Sequence, residues 1–281
     1  MPYTLRTTAR THEGLVRENN EDNYFVGPRL LVVADGMGGH AAGEVASQIT
    51  AEKFAALDEV AADENLNDAL AEAITAATEE IARRVEDDPD LEGMGTTVTA
   101  VLFGTNRIAV ANIGDSRAYL YQRDRAKLTQ LTSDDSFVQM MVENGDITAE
   151  QAQYHPYRNI VLKSVNGKEV TPRFTALMRI VGDRYLLCSD GLTDYVDVDD
   201  VSAALDLDDI EESADKLISL ALDAGAPDNV TIVLADLVVV ANNDAATESG
   251  TASDGSTIDS RDAGTDETGV HSARTEPIPL P

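Results

Sequence analysis

The stretch LLVVADGMGGHAAG, residues 30–43, decides the fold, because it joins an apolar strand to a charged turn and then to a helix. Its first five residues are apolar, which predicts a buried strand. The strand ends at Asp35, a charge that costs several kcal/mol to bury unless it is paired or holds a metal. Gly36 and two further glycines follow, so the backbone can turn tightly and approach a ligand. An ordinary surface turn, a dinucleotide-binding turn and a metal-binding carboxylate are the three interpretations.

The glycines match the dinucleotide-binding pattern G-x-G-x-x-G/A between Gly36 and Ala41. That fold requires a second parallel strand ending in an acid about 20 residues later, to hold the ribose. Here a predicted helix over 41–57 leads through a polar segment directly into a second helix at 66–85. The βαβ unit is missing, which argues against a dinucleotide site.

Predicted strands outnumber helices along the chain, and they follow one another through tight turns. The second helix has apolar residues spaced three and four apart, with Asn65 as its N-cap. This order predicts an α+β fold, an antiparallel β-sandwich of two sheets with a helix pair over each outer face. The predicted strands are 3–10, 23–27, 30–34, 96–103, 107–113, 118–122, 160–165, 173–180, 185–188 and 230–240. The other predicted helices are 137–144, 149–154, 198–205 and one that carries 210–221.

Composition limits which partners the chain can bind and in which compartment it can lie. The chain has 281 residues and a net charge of −30, so it repels nucleic acid and anionic membrane surfaces. Such acidity is typical of proteins from high-salt cytoplasm and also of other soluble acidic proteins. Cys188 is the single cysteine, which favours a cytoplasmic location over an oxidising one. No run approaches the roughly 18 apolar residues of a membrane span.

The body of the chain and its end differ in composition. Residues 241–281 are rich in Ser, Thr, Gly, Asp and Glu and contain no aromatic residue. Such a segment cannot bury enough apolar surface to offset its ordering entropy. We therefore predict one domain over 1–240 and an acidic, disordered tail over 241–281.

Four acids at the edges of predicted strands suggest a shared site: Asp35, Asp115, Asp190 and Asp228. A single Asp in such a place is usually a turn residue, but strand ends of one sandwich converge. Clustered carboxylates repel one another unless cations neutralise them. Oxygen ligands select Mg or Mn, or Ca, over Zn or Cu. The histidines show no paired spacing, which argues against zinc: His12, His40, His155 and His271.

A carboxylate site with two metals suits an in-line displacement at phosphorus, because it activates a bridging water and clamps the reacting oxygens. Arg17, in the polar turn 14–22, is a candidate to bind phosphoryl oxygens, since its guanidinium can do so in bidentate fashion. An ordinary ion pair with Glu18 or Glu21 is the alternative.

Six ordered motifs span most of the body: GLVRENNED, VVADGMGGHAAGE, GMGTTVTA, ANIGDSRAYL, LLCSDGLTDYV and APDNVTIV. They resemble the metal-dependent protein serine/threonine phosphatases of type 2C, in particular their bacterial branch. The resemblance implies a sandwich flanked by helix pairs and hydrolysis of phosphoserine and phosphothreonine at a binuclear Mn or Mg centre. By motif, Asp35 would bridge both ions, the Gly36 carbonyl would bind one, and Asp190 and Asp228 would complete the second ion's shell. Asp115, with Asp190, would hold a third ion.

The resemblance also assigns roles around the metals. Glu21 and Asp22 would act through metal-bound water, and Arg17 would bind the substrate phosphate. Many eukaryotic members place a His directly after the Asp-Gly as a proposed general acid, but Met37 stands there and cannot donate a proton. His40 is three residues further on. We therefore expect a metal-bound water to protonate the leaving group.

The remaining expectations concern the surroundings of the site. A helical insert over 133–158 falls where the bacterial branch carries a mobile flap. Bacterial relatives oppose serine/threonine kinases, so the expected partners of this monomer are phosphorylated kinases and their targets. Two other functions stay open: a catalytically silent module that binds phosphoproteins, and a phosphatase dedicated to one anti-sigma antagonist. Related enzymes often continue into a membrane span, so the sequence is a soluble member or a fragment.

Overall fold

The computed structural model describes residues 3–38, 42–59 and 65–239. Its strands are β1 (Tyr3–His12), β2 (Asp22–Val26), β3 (Leu30–Met37), β4 (Gly95–Thr96), β5 (Val98–Phe103), β6 (Arg107–Ile113), β7 (Arg117–Gln122), β8 (Lys127–Gln130), β9 (Arg173–Met178), β10 (Arg184–Cys188) and β11 (Val230–Val239). Its helices are α1 (Ala42–Ala55), α2 (Leu66–Asp87), α3 (Phe137–Asn144), α4 (Ala149–Gln153), α5 (Asp190–Thr193), α6 (Val198–Leu205) and α7 (Ile210–Asp223).

The strands form two antiparallel sheets. One sheet has the order β1-β11-β10-β7-β8, and the other has the order β2-β3-β5-β6-β9, with β4 joined to the end of β3. The register of β2 against β3 places Asp22 opposite Asp35. Because β10 and β11 are antiparallel neighbours, the end of β10 and the start of β11 lie at the same edge. This topology brings residues from distant motifs to one end of the sandwich.

Three apolar layers hold the sandwich together. A central cluster fills the space between the sheets, a second lies under α1 and α2, and a third lies under α5–α7. Along β3, Leu31 and Val33 face the central cluster, whereas Leu30 and Val32 face the helices. All four are completely buried, and each contributes roughly 1.5–3 kcal/mol of hydrophobic stabilisation. The predicted α+β sandwich with helices over both faces is confirmed.

The predicted strand over 160–165 is wrong. That segment makes two isolated bridges, at Val161 and Val165, and does not pair along its length with a neighbouring strand. Ile160 and Leu162 are 44% and 48% exposed, so their apolar character does not reflect a buried face. The segment instead crosses from the helical insert back to the sheet.

The sequence pattern also missed β8 and α5. The turn before β8 contains Ala126 with φ +46°, a conformation that residues with a side chain rarely adopt. The amino-acid composition of the turn therefore does not predict it. The first helix ends at Ala55, before its predicted end at residue 57, and a 3₁₀ turn, Ala56–Glu59, follows it. Asn65 does occupy the N-cap of α2, but its side chain makes no capping hydrogen bond.

The predicted helical insert contains α3 and α4. Ser136 caps α3 and Thr148 caps α4, each by accepting a hydrogen bond from a backbone N–H. Asp135 fastens the base of the insert, because its buried carboxylate pairs with Lys163 and Arg173 at 3.0 Å. In the described ranges, every helix is too short or too polar to cross a bilayer. The predicted tail and the boundary at residue 240 lie outside the described residues.

Candidate active site

The four predicted acids lie at one end of the sandwich. Asp35 lies near the end of β3, Asp115 follows β6, Asp190 follows β10 and Asp228 precedes β11. Burial of the Asp35 carboxylate raises its pKa well above the ordinary value, and the charges of Asp22, Asp190, Asp115 and Asp228 raise it further. The structure therefore brings these carboxylates within electrostatic reach of one another.

The backbone of Asp35 is fixed by the neighbouring threonine pair. Its N–H donates to Thr97 Oγ1 at 3.0 Å, and its carbonyl accepts from the Thr97 N–H and from Thr96 Oγ1, both at 2.8 Å. Both threonines are completely or almost completely buried, so these hydrogen bonds are shielded from water. The carboxylate is thereby presented to the site while the backbone polar groups are satisfied.

Asp22 is buried beside Asp35, and only one of its two carboxylate oxygens accepts a hydrogen bond. Its Oδ2 accepts a hydrogen bond from Ser189 Oγ at 2.8 Å, and Ser189 Oγ in turn accepts from the Thr231 N–H at 3.0 Å. Its Oδ1 is buried and has no hydrogen-bond partner. Burial raises the pKa of Asp22 to about 6, although hydrogen bonds from Thr231 and Ser189 oppose the shift. A buried acceptor without a donor suits a group that arrives from outside the chain.

Asp190 and Asp115 extend the same acidic surface. Burial and the charges of Asp115, Asp194 and Asp228 raise the pKa of Asp190 well above its usual range. Burial is also the main cause that raises the pKa of Asp115 to about 7. No three His, Cys, Asp or Glu side chains of the described ranges form a ready-made metal cage. The donors are nevertheless all oxygen, which fits Mg or Mn, and Mg keeps several waters and needs few protein ligands.

The two glycines beside Asp35 allow a close backbone approach. A Cβ on Gly36 would lie 2.3 Å from the Gly43 carbonyl oxygen and 2.5 Å from that of Glu21. A Cβ on Gly43 would lie 2.7 Å from Glu21 Oε2. Side chains at either position would therefore separate β3 from the start of α1. Gly43 was not singled out from the sequence, although it lies within the same motif.

Arg17 contacts one of the predicted metal ligands. Its Nη2 lies 2.7 Å from Asp228 Oδ2, so neither predicted partner, Glu18 or Glu21, forms the ion pair. The Arg17 side chain is 54% exposed and can leave this contact at low cost. Burial is the largest influence on Glu21 and raises the pKa of its carboxyl.

Asn229 anchors the loop that carries Arg17, and sequence reasoning missed it. Its Nδ2 donates to the carbonyls of Glu13 at 2.9 Å and Asn19 at 2.8 Å, and its Oδ1 accepts from the Glu21 N–H at 2.9 Å. Asn229 is 7% exposed, so these bonds are shielded from water. The signal available was its place beside Asp228 in the motif APDNVTIV.

Comparison with known proteins decides the family. A model of the family described as protein phosphatase 2C matches residues 11–228. The chain belongs to the protein phosphatase 2C family. It is 53% identical over 237 residues to the serine/threonine protein phosphatase PstP of Mycobacterium tuberculosis, covering 83% of this chain and 45% of PstP. It is 37% identical to the serine/threonine phosphatase stp of Listeria innocua, covering 81% of this chain and 94% of that one.

Solved structures of the 2C family match the fold. The crystal structure of M. tuberculosis PstP/Ppp has a TM-score of 0.82 and 51% identity, covering 84% of this chain and all of that one. The PstP catalytic domain in complex with two manganese ions has a TM-score of 0.79 and 49% identity, covering 85% of this chain and 100% of that one. The chain thus spans slightly under half the length of the full PstP sequence.

Neither of the two histidines that the structure describes, His12 and His155, makes a hydrogen bond to the clustered acids. His12 accepts a hydrogen bond from the Gly14 N–H through Nδ1, and His155 contacts the aromatic rings of Phe137 and Tyr157. Met37 ends β3 and offers no proton. His40 lies outside the described residues.

Proposed function

We propose that this chain hydrolyses phosphoserine and phosphothreonine on proteins, using two Mn or Mg ions held at the acidic end of the sandwich. The observation that carries the proposal is the crowding of Asp35, Asp190 and Asp228. Burial and mutual repulsion raise the pKa values of Asp35 and Asp190 well above their usual range. Divalent cations relieve both costs. Membership in the 2C family supports the same chemistry.

Each metal ligand has a proposed place. Asp35 would bridge both ions, the Gly36 carbonyl would bind one of them, and Asp190 and Asp228 would bind the other. Asp115 would hold a third ion together with Asp190. When bound, the ions supply an activated water at neutral pH and positive charge for the phosphoryl oxygens. The manganese pair in the PstP catalytic domain supports the first two ions and does not bear on the third.

Arg17 would bind the substrate phosphate. Its guanidinium already holds an oxyanion, the carboxylate of Asp228, at 2.7 Å. A phosphoryl group offers the same guanidinium a similar pair of acceptor oxygens. Glu21 and Asp22 would orient water molecules, and the unpartnered Oδ1 of Asp22 is suited to accept from one.

The partners and the location are part of the same proposal. Phosphorylated proteins would be the substrates, in particular serine/threonine kinases and their targets. The protein would act in the cytoplasm as a monomer, where its buried Cys188 stays reduced.

The test is hydrolysis of a phosphothreonine peptide with Mn, before and after EDTA, together with calorimetric titration of Mn into the wild type and Asp35→Asn. We expect activity that EDTA abolishes and Mn restores, and Mn binding that Asp35→Asn weakens strongly. Metal-independent hydrolysis would overturn the mechanism. Peptide binding without turnover in saturating Mn would instead favour the silent phosphoprotein-binding module.

A further inference from the structure

A cleft of about 780 Å³ opens beside the acidic site. The helices α3 and α4 of the insert form one wall, and the segment from Thr193 to Val201 forms the other. Arg117 and Asp134 lie among its lining residues, and one part of the lining is Asp115 itself. The cleft is therefore continuous with the end of the sandwich where we place the reaction.

The cleft has the size and surface of a peptide-binding groove. Its volume lies within the range of roughly 300–1,000 Å³ that is typical of ligand sites. Three tyrosines line it, and one of them, Tyr154, is 79% exposed at its edge. Val138 and Val142 of α3 add an apolar surface. A polypeptide segment could bury both backbone and side-chain atoms here.

The cleft is lined by more acidic than basic side chains. Arg117 is paired with the buried Asp134 at 2.6 Å, and Arg158 lies 3.8 Å from Asp194. Both arginines thus already face a carboxylate. Three more acids, at the start of α6, are exposed in the same lining: Asp197, Asp199 and Asp200.

The acids at the start of α6 have an ordinary structural role, because negative charge stabilises a helix N-terminus. That role does not use up their charge. Asp197 occupies the N-cap, but its side chain makes no capping hydrogen bond. Its carboxylate remains available to a cation in the cleft.

We propose that this cleft binds the substrate polypeptide next to the phosphoresidue and selects segments that carry Lys or Arg. Asp197, Asp199 and Asp200 are its specificity-determining residues. The proposal rests on the proposed phosphatase function, since the cleft is defined by its junction with Asp115. Exposed ion pairs are weak, so the expected preference is about two- to fivefold in kcat/KM.

The test uses three phosphothreonine peptides with an alanine background. One has two arginines before the phosphoresidue, one has two after it, and one has none. Because the cleft leads away from the acidic site in one direction, we expect the arginines to raise kcat/KM on one side only. The gain should shrink as the salt concentration rises.

A matched pair of variants separates the cleft from the general field of a protein with net charge −30. Asp199→Asn/Asp200→Asn removes two charges from the cleft, and Glu72→Gln/Glu79→Gln removes two from the exposed face of α2. The readout is the ratio of kcat/KM between the best arginine peptide and the alanine peptide. We expect that ratio to approach one in the cleft variant and to remain at the wild-type value in the α2 variant.

The outcomes distinguish this proposal from the proposed function. Equal kcat/KM for all three peptides would overturn the cleft proposal and leave the phosphatase function standing. An arginine gain that both double variants retain would also overturn the cleft proposal. Failure of the wild type with Mn to hydrolyse any peptide or p-nitrophenyl phosphate would overturn the phosphatase function itself.

Discussion

The two ends of β10 hold buried charge in opposite ways. At its start, Arg184 is completely buried and donates to both carboxylate oxygens of Asp236, at 2.6 and 2.9 Å. Burial acts to raise the pKa of Asp236, but hydrogen bonds from Arg184 and Arg6 outweigh it and lower that pKa. Just beyond the other end of the strand, burial and neighbouring acids raise the pKa of Asp190 well above its usual range.

This difference separates a structural charge from a functional one. The Arg184 guanidinium also donates to the carbonyls of Leu205 and Leu207, at 3.0 and 2.8 Å, so the pair is satisfied within the chain. The acids at the other end repel one another and include the unpartnered Oδ1 of Asp22. Such crowding lowers stability, and under the proposed function bound cations would offset this cost.

The largest expected effect comes from Asp35→Asn at the functional end. We expect kcat with Mn to fall by about 10³-fold or more, because the bound metals supply several kcal/mol of transition-state stabilisation. In EDTA at pH 7 the same variant should be more stable than the wild type, since a carboxyl whose pKa is raised on folding destabilises the folded state once the pH exceeds its lower pKa in the unfolded chain. Hydrolysis assays and urea unfolding measure the two effects. A loss of stability in EDTA would contradict the comparison.

At the structural end, Arg184→Met should lower the free energy of unfolding by about 3–5 kcal/mol, because it leaves Asp236 buried without its main partner. Urea unfolding at pH 7 measures this loss. The double variant Arg184→Met/Asp236→Leu is the control, and it should recover much of the stability. A single variant as stable as the wild type would show that the pair is dispensable.

Asn229→Ala sharpens the comparison within the functional end, because it removes three hydrogen bonds from the loop that carries Arg17. We expect KM for a phosphopeptide to rise by roughly tenfold, at about 1 kcal/mol per neutral hydrogen bond with partial compensation by water. The fall in kcat should be smaller. Asn106→Ala, in the exposed turn before β6, is the control and should leave KM unchanged. A fall in kcat alone would contradict the assigned role.

The smallest effect concerns Asp183, which lies beside Arg184 but is not paired with it. Its Oδ2 is buried without a partner, and burial, with the charge of Asp124, raises its pKa to about 6. The folded state therefore holds the proton more tightly, and this group's contribution to stability falls as the pH rises from about 4 to 6. Asp183→Asn should gain on the order of 1 kcal/mol over the wild type across that window. Urea midpoints at pH 4 and pH 7 measure the difference. A constant gap would refute this assignment.

Local patterns predicted that the four acids would lie together, because each acid follows or precedes an apolar strand within one motif. Asp35, Asp115, Asp190 and Asp228 could be read in this way. The contacts between motifs could not. Arg17 pairs with Asp228, which lies 211 positions away in the chain, and not with the nearby Glu18 or Glu21.

The buried ion pair at the start of β10 could not be predicted from the sequence, for the same reason. Arg184 looks like a polar residue at a strand end, and only the register of β10 with β11 places it opposite Asp236. The false strand over 160–165 is the converse case. Its apolar residues mimic a strand, yet Ile160 and Leu162 remain exposed. Burial in a β-sheet depends on an available neighbouring strand, which a local pattern does not report.

A crystal structure of the protein in saturating Mn tests the central claim most directly. The crowded acids beyond the end of β10 predict two ions about 3.5–4 Å apart, contacting Asp35, Asp190 and Asp228. It also predicts that Arg17 leaves Asp228 when phosphate is added. A site without metal density, with the Arg17–Asp228 pair intact, would contradict the account.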